Sequence, residues 1–276
     1  MSAELRPAAV AGLFYPDAAD ALKNTVSQLL EAVEETSISG IEPPKAAIAP
    51  HAGYIYSGPI AASLYRKIAP FRQSIHRVVL LGPTHRVFVD GIAIPENTAF
   101  ATPLGPVEID RIALDQVAAL PGVVSSTQAH AQEHALEVQL PFLQSILDHF
   151  TLVPVAVGQA SPDSVAAVIE TLWGGPETLI IVSSDLSHYL PYATARHVDA
   201  ATCQQILRFD SSIRPEQACG AYPINGMLLA ARRHALIGEL LDLRNSGDTA
   251  GDKGRVVGYG AFMFHNQTQE ESPNAH

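Results

Sequence analysis

Basic residues are scarce in this chain of 276 residues: 17 Lys and Arg stand against 28 Asp and Glu, for a formal net charge of −11. Recognition of phosphate backbones needs a cationic footprint that displaces condensed counterions, so a nucleic-acid binder is excluded and small molecules or proteins are the expected partners. Cysteine is scarcer still. The two thiols, Cys203 and Cys219, cannot build a disulfide framework. Long apolar runs are missing as well; the longest, such as 78–82, have the length of a strand and fall far short of the roughly 18 residues a membrane span needs. The first residues, MSAELRPAAVAG, lack the cationic stretch and apolar core of a leader. The expected setting is therefore cytoplasmic, away from membranes, with both cysteines reduced.

What is present is 47% hydrophobic residues with only 16% charged, the balance of a well-packed globular protein. At about 150 residues per domain the length admits one large domain or two small ones. No stretch rich in Pro, Gly and Ser divides the chain, so a single domain over 1–265 is expected, followed by a polar, frayed tail at 266–276. Helical spacing of Leu22, Val26, Leu29, Leu30 and Val33 predicts an amphipathic helix over 17–35 with Asp17 as its N-cap. Further helices are predicted at 58–68, 133–149, 163–173, 193–208 and 226–234. Strands are predicted at 46–49, 78–81 and 179–182, and also at 91–94, 152–157 and 256–265, where alternation suits a sheet edge. The first three are apolar without alternation, as strands covered on both faces must be. The alternation of elements implies a single α/β domain with a mostly parallel or mixed central sheet and helices on both faces.

The chemistry follows those three strands. The first runs into Pro50-His51-Ala52-Gly53-Tyr54, the second into Gly82-Pro83-Thr84-His85, and the third into Ser183-Ser184-Asp185-Leu186-Ser187-His188. Ligands of open α/β sheets bind beyond the carboxyl ends of the strands, so His51, His85, His188 and Asp185 are expected to face one crevice. Imidazoles bind Zn, Fe and Cu, and a nearby carboxylate ligates or fixes a tautomer. A metal site is the favoured reading, with Cys219, in a loop-like segment before an apolar helix, as a further ligand. Cys203, inside a helical run, reads as packing.

Two other motifs compete. His130-Ala131-Gln132-Glu133-His134 fits the H-x-x-E-H pattern of inverted zinc peptidases. The alternative places Glu133 and Glu137 at the positive end of a helix dipole, with His134 facing the crevice or capping. The glycines of 245–252 match neither a phosphate loop nor a calcium loop and are expected to form a turn lining the pocket.

Taken together, Pro50-His51-Ala52-Gly53-Tyr54 with Ser57-Gly58, Gly82-Pro83-Thr84-His85, Glu133-His134-Ala135-Leu136-Glu137 through Leu140-Pro141-Phe142, Ser184-Asp185-Leu186-Ser187-His188-Tyr189, Cys219-Gly220, and Asn245-Ser246-Gly247-Asp248 through Val257-Gly258-Tyr259 resemble the Memo family, named in prokaryotes AmmeMemoRadiSam system protein B. The resemblance implies a fold similar to that of the class III (LigB-type) extradiol dioxygenases. It also implies that His51, His85 and Cys219 bind metal, with Asp185 and His188 completing the cluster. In those dioxygenases two His and a Glu hold Fe(II), and a further His, which His188 resembles in position, acts as acid and base; Cys219 stands where a carboxylate would. The family name further implies radical-SAM and AMMECR-type protein partners.

The expectation that follows is a non-haem metal-dependent oxidoreductase, dioxygenase-like, acting on a small molecule. Fe(II) is the favoured ion, with Cu or Zn as alternatives because a thiolate softens the site. His188, oriented by Asp185, would move a proton. Two other readings stand beside it: a scaffold that binds a peptide or metabolite, or handles metal, without turnover, and a Zn-dependent hydrolase using the same crevice.

Overall fold

A computed structural model describes residues 5–34 and 42–267. The elements in chain order are β1 (Leu5–Arg6), α1 (Ala19–Glu31), β2 (Ala46–Ala49), α2 (Tyr54–Ile68), β3 (Arg77–Pro83), β4 (Ile92–Ile94), β5 (Ala99–Thr102), β6 (Gly105–Glu108), α3 (Arg111–Ala118), β7 (Val123–Ser125), α4 (Thr127–Ala131), α5 (Leu140–Ile146), β8 (Thr151–Val157), α6 (Pro162–Thr171), β9 (Thr178–Ser183), β10 (His188–Leu190), α7 (Tyr192–Leu207), α8 (Ala221–Arg233), β11 (Ile237–Asn245) and β12 (Val256–His265).

Successive side chains of a strand point to opposite faces. The four consecutive buried residues of β2 and the six of β9 therefore mean that both faces of the sheet are covered there. Helices α2 and α8 both pack on β2. The large sheet has nine strands in the order β10-β12-β2-β9-β3-β8-β4-β7, and β11 pairs with β12. Its centre is parallel: β2 with β9, β9 with β3, β3 with β8. Antiparallel pairs flank it, β12 with β2 and β4 with β8, so the sheet is mixed. A small sheet, β1-β5-β6, is separate. The fold is the expected α/β class.

Several local expectations are corrected. Strand β12 is not an edge. Phe264 pairs with Ala46 on one side and Gly238 on the other, because β11, which the sequence reading missed, covers it. The small sheet and α3, capped by Asp110 accepting from the Ala113 amide, were also missed. Helix α1 starts at Ala19 after an Ala18 N-cap position without a side-chain cap, so Asp17 does not cap it. Residue 35, expected as its last, lies outside the described residues, as does the expected frayed tail beyond Gln267. The helix expected over 133–149 is broken into a turn, a 3-10 segment at Glu137–Gln139 and α5, which opens with Pro141 in its first turn.

Candidate metal centre

Strands β2, β9 and β3 are parallel neighbours in register, Ala49 opposite Ser183 and Val182 opposite Leu81, so their carboxyl ends open on one edge. His51 leaves β2 two residues after its end, and His85 leaves β3 likewise. The third imidazole of the cluster is His134, from the irregular segment between α4 and α5. One ligand nitrogen from each of His51, His85 and His134 lies within 4.8 Å of the other two. Ring centroids are 5.2 Å apart for His51 and His85, 5.4 Å for His51 and His134, and 4.6 Å for His85 and His134, the last pair stacked.

The 132–136 segment has no regular structure of its own to hold His134 in place, and buried polar contacts do so instead. Arg6, from the far N-terminal segment, donates to the carbonyls of His130 and Glu133 and to the Glu137 carboxylate. Glu137 also accepts the amides of Ala9 and Val10 and the Tyr15 hydroxyl. Glu137 is thus an acceptor in a buried network, and the Glu133 carboxylate accepts from the His85 ring and amide and from the Ala135 amide; these contacts replace the expected role of Glu133 and Glu137 at a helix dipole. Gly82 permits the close approach: a Cβ there would sit 2.8 Å from Leu136 Cδ2 and 3.3 Å from Ala135 Cβ.

Glu133 orients His85. Its Oε1 accepts His85 Nδ1–H at 2.8 Å and its Oε2 the His85 amide at 2.5 Å. Burial alone would raise the Glu133 carboxyl; the hydrogen bonds from the His85 ring and amide and from the Ala135 amide overcome it and hold it below the usual range. An ionised carboxylate only accepts, so His85 carries its proton on Nδ1 and turns the Nε2 lone pair outward. His51 Nδ1 lies 2.9 Å from Ser183 Oγ. Burial lowers His51 to about 3, and burial likewise lowers His134. These two imidazoles are neutral at physiological pH, the state in which imidazole ligates. The Nδ1 of His134 is buried and makes no hydrogen bond among the described residues, with Glu133 Oε1 3.4 Å away.

Other residues singled out in the sequence adjoin this cluster. Cys219 Sγ lies 3.2 Å from His51 Nε2 and accepts the Asp185 amide at 3.3 Å. Burial, with the Asp185 charge, pushes its thiol up to about 12. Gly220 lets this segment press on β9, since a Cβ there would meet Ser184 Cβ at 2.6 Å. Asp185 is buried and accepts the His51 amide at 2.7 Å and that of Ala52; burial raises its carboxyl, those amides oppose the rise, and it acts on the loop that carries His51. His188 opens β10, near enough to enter the electrostatics of both His51 and Asp185. His130 stands apart: its Nε2 is 3.0 Å from the Ala93 carbonyl, so the two histidines of H-x-x-E-H do not share an ion and the inverted zinc-peptidase reading falls. The signal that pointed to His134 was that motif, but its proper partners are histidines distant in the chain. Residues 245–248 form a 3-10 turn closed by a reciprocal Asn245–Asp248 capping box.

The residues present fit a metal ion. Three imidazoles converge, and an ionised carboxylate fixes one of them from behind. Such a donor set suits Zn, Fe or Cu. Among the described residues no helix is long and apolar enough to cross a membrane.

Comparison with known proteins places the chain in a family. The family model described as "Memo-like protein" matches residues 6–263. A MEMO1 family protein of Methanosarcina barkeri is 35% identical over 94% of this chain and 99% of its own length. One of Aquifex aeolicus is also 35% identical with the same coverage, and one of Nitrosopumilus maritimus is 32% identical, again over 94% and 99%. With a match spanning nearly the whole chain, and its histidines gathered at the carboxyl edge of a mixed α/β sheet, this protein belongs to the Memo family.

Proposed function

We propose that the protein binds a redox-active transition metal, Fe(II) or Cu, at His51, His85 and His134 and acts as a non-haem oxidoreductase on a small-molecule substrate. The observation that carries this reading is the convergence of three imidazole nitrogens within 4.8 Å of one another. When bound, such an ion supplies Lewis-acid and one-electron chemistry at positions the protein leaves open. The chain's own residues do the rest. Glu133 turns His85 toward the centre, and Asp185 holds the loop of His51 through its amides. His188, at the margin of the cluster, gives or takes the substrate's proton on its ring nitrogen. The Cys219 sulfur beside His51 is a further, softer donor, and one that is itself oxidisable.

The test is elemental analysis of protein purified without air, followed by spectroscopy with NO as a surrogate for O2. One equivalent of Fe or Cu, lost in His51→Ala, and an NO adduct are expected. Protein without transition metal above background overturns the reading. Stoichiometric Zn with no oxygen dependence would move it to hydrolysis.

A second reading, a scaffold that binds a peptide or an apolar metabolite without turnover, has one observation in its favour. Leu13, Ile55, Phe88 and Tyr189 are all exposed large apolar side chains, 80%, 68%, 79% and 62% respectively. Each lies within four residues of His51, His85, His188 or of Phe14, which packs on His134. Joined in one contiguous patch, such exposed apolar groups would mark a binding surface. Binding that survives His51→Ala, with no product from metal-loaded protein, would favour this reading.

A further inference from the structure

Ser183, the last residue of β9, is fully buried and has three polar neighbours: the Ala135 carbonyl at 2.6 Å, Gln139 Nε2 at 2.8 Å and His51 Nδ1 at 2.9 Å. A hydroxyl has one proton to give. The carbonyl of Ala135 can only accept, so it takes that proton. The orientation of Gln139 is equally constrained, because its Nε2 also lies 2.9 Å from the Pro50 carbonyl, another group that only accepts. The amide nitrogen must therefore face both Pro50 and Ser183, while Oε1 receives the Tyr65 hydroxyl at 2.7 Å. With its proton given to Ala135 and one lone pair receiving Gln139, the Ser183 oxygen can meet His51 Nδ1 only as an acceptor.

From this donor count we infer that Ser183, set by Gln139, is a positioning residue that locks His51 in the Nδ1–H tautomer and leaves the Nε2 lone pair facing the cluster. The contact of Nε2 with Cys219 Sγ at 3.2 Å lies on that free side. Ser183 thus does for His51, through a neutral network, what Glu133 does for His85 through a charge. The consequence for metal affinity rests on the reading given under Proposed function; the tautomer itself does not. Groups behind ligating imidazoles commonly contribute 10–100-fold to affinity.

The experiment records two-bond ¹H–¹⁵N imidazole spectra of metal-free, ¹⁵N-labelled protein at neutral pH, with the His51 signals assigned by their loss in His51→Ala. The Nδ1–H form of His51 is expected in the wild type, and a mixture or the Nε2–H form in Ser183→Ala, with the hydroxyl-retaining Ser183→Thr behaving like the wild type. A wild-type His51 in the Nε2–H form overturns the inference and needs no variant to fold; an unshifted tautomer in a folded Ser183→Ala also overturns it. Titration with Co(II) is the second arm, where Ser183→Ala is expected to bind about 10–100-fold more weakly, and unchanged affinity overturns the positioning role. A wild type that shows the Nδ1–H form but binds no Co(II) supports the lock and removes the metal reading instead.

Discussion

The sulfur of Cys219 lies 3.2 Å from Nε2 of His51, although 168 residues of chain separate the two. That sulfur stands beside the three-histidine group, among whose ligand nitrogens no separation exceeds 4.8 Å. The relation assigns different weights to the two candidate third donors, His134 and Cys219, and makes them separable by experiment.

His134→Ala is expected to weaken Co(II) or Fe(II) binding by more than about 100-fold, beyond the usual effect of a group that only orients a ligand. Cys219→Ser is expected to have a smaller effect on affinity and to remove any thiolate-to-cobalt charge-transfer absorption. Isothermal titration with an absorption spectrum of the cobalt form checks both. Equal binding by His134→Ala and the wild type would return the third position to Cys219.

Glu133→Gln keeps the shape behind His85 but removes its charge. Metal affinity is expected to fall about 10–100-fold with the far-ultraviolet circular dichroism unchanged. Because Glu133 also receives the His85 amide, a folded variant with full affinity would show that this carboxylate merely braces the loop.

Arg6 and Glu137 form a buried ion pair, and the carboxylate has further donors in Ala9, Val10 and Tyr15. Removing one partner leaves the other charge buried and uncompensated, a loss of about 3–5 kcal/mol. Arg6→Ala should show that loss in urea unfolding. It should also weaken metal binding, because Arg6 holds the two carbonyls that frame the His134 segment. A variant as stable as the wild type would contradict the clamp.

Two buried groups outside the cluster give opposite pH slopes. Burial lowers His130 from 6.5 to about 4, so the unfolded chain binds more protons in that window and stability falls as pH drops through it. Burial raises Asp199 from 3.8 to about 6, against the Ser187 amide it accepts at 3.0 Å, so the folded chain binds more protons there and stability falls as pH rises through that window. Unfolding free energies measured between pH 4 and 7 should show a shallower acid loss in His130→Gln and a steeper one in Asp199→Asn. Parallel curves for both variants and the wild type would refute the assignment.

Legibility followed the locality of the signal. The uninterrupted apolar runs at β2, β3 and β9 were readable because strands covered on both faces have no polar side, and His51 and His85 followed from them. Strand β11 was not. Its residues Ile237–Asn245 are mostly half-buried, and their pairing with β12 depends on contacts that begin at opposite ends of the hairpin. The segment carrying His134 reads as a helix start by composition, yet Arg6 draws it into a turn from more than 120 residues away, through the carbonyls of His130 and Glu133 and the Glu137 carboxylate.

Composition, charge and strand pattern by themselves determined an α/β protein with histidines at the carboxyl ends of its central strands, since burial on two faces and crossover connections are written in local hydrophobicity. The tertiary structure alone decided which third imidazole joins His51 and His85, where Cys219 stands relative to them, and which polar groups face their ring nitrogens. Those outcomes depend on hydrogen-bond partners brought together across the chain, and no window of adjacent residues contains them.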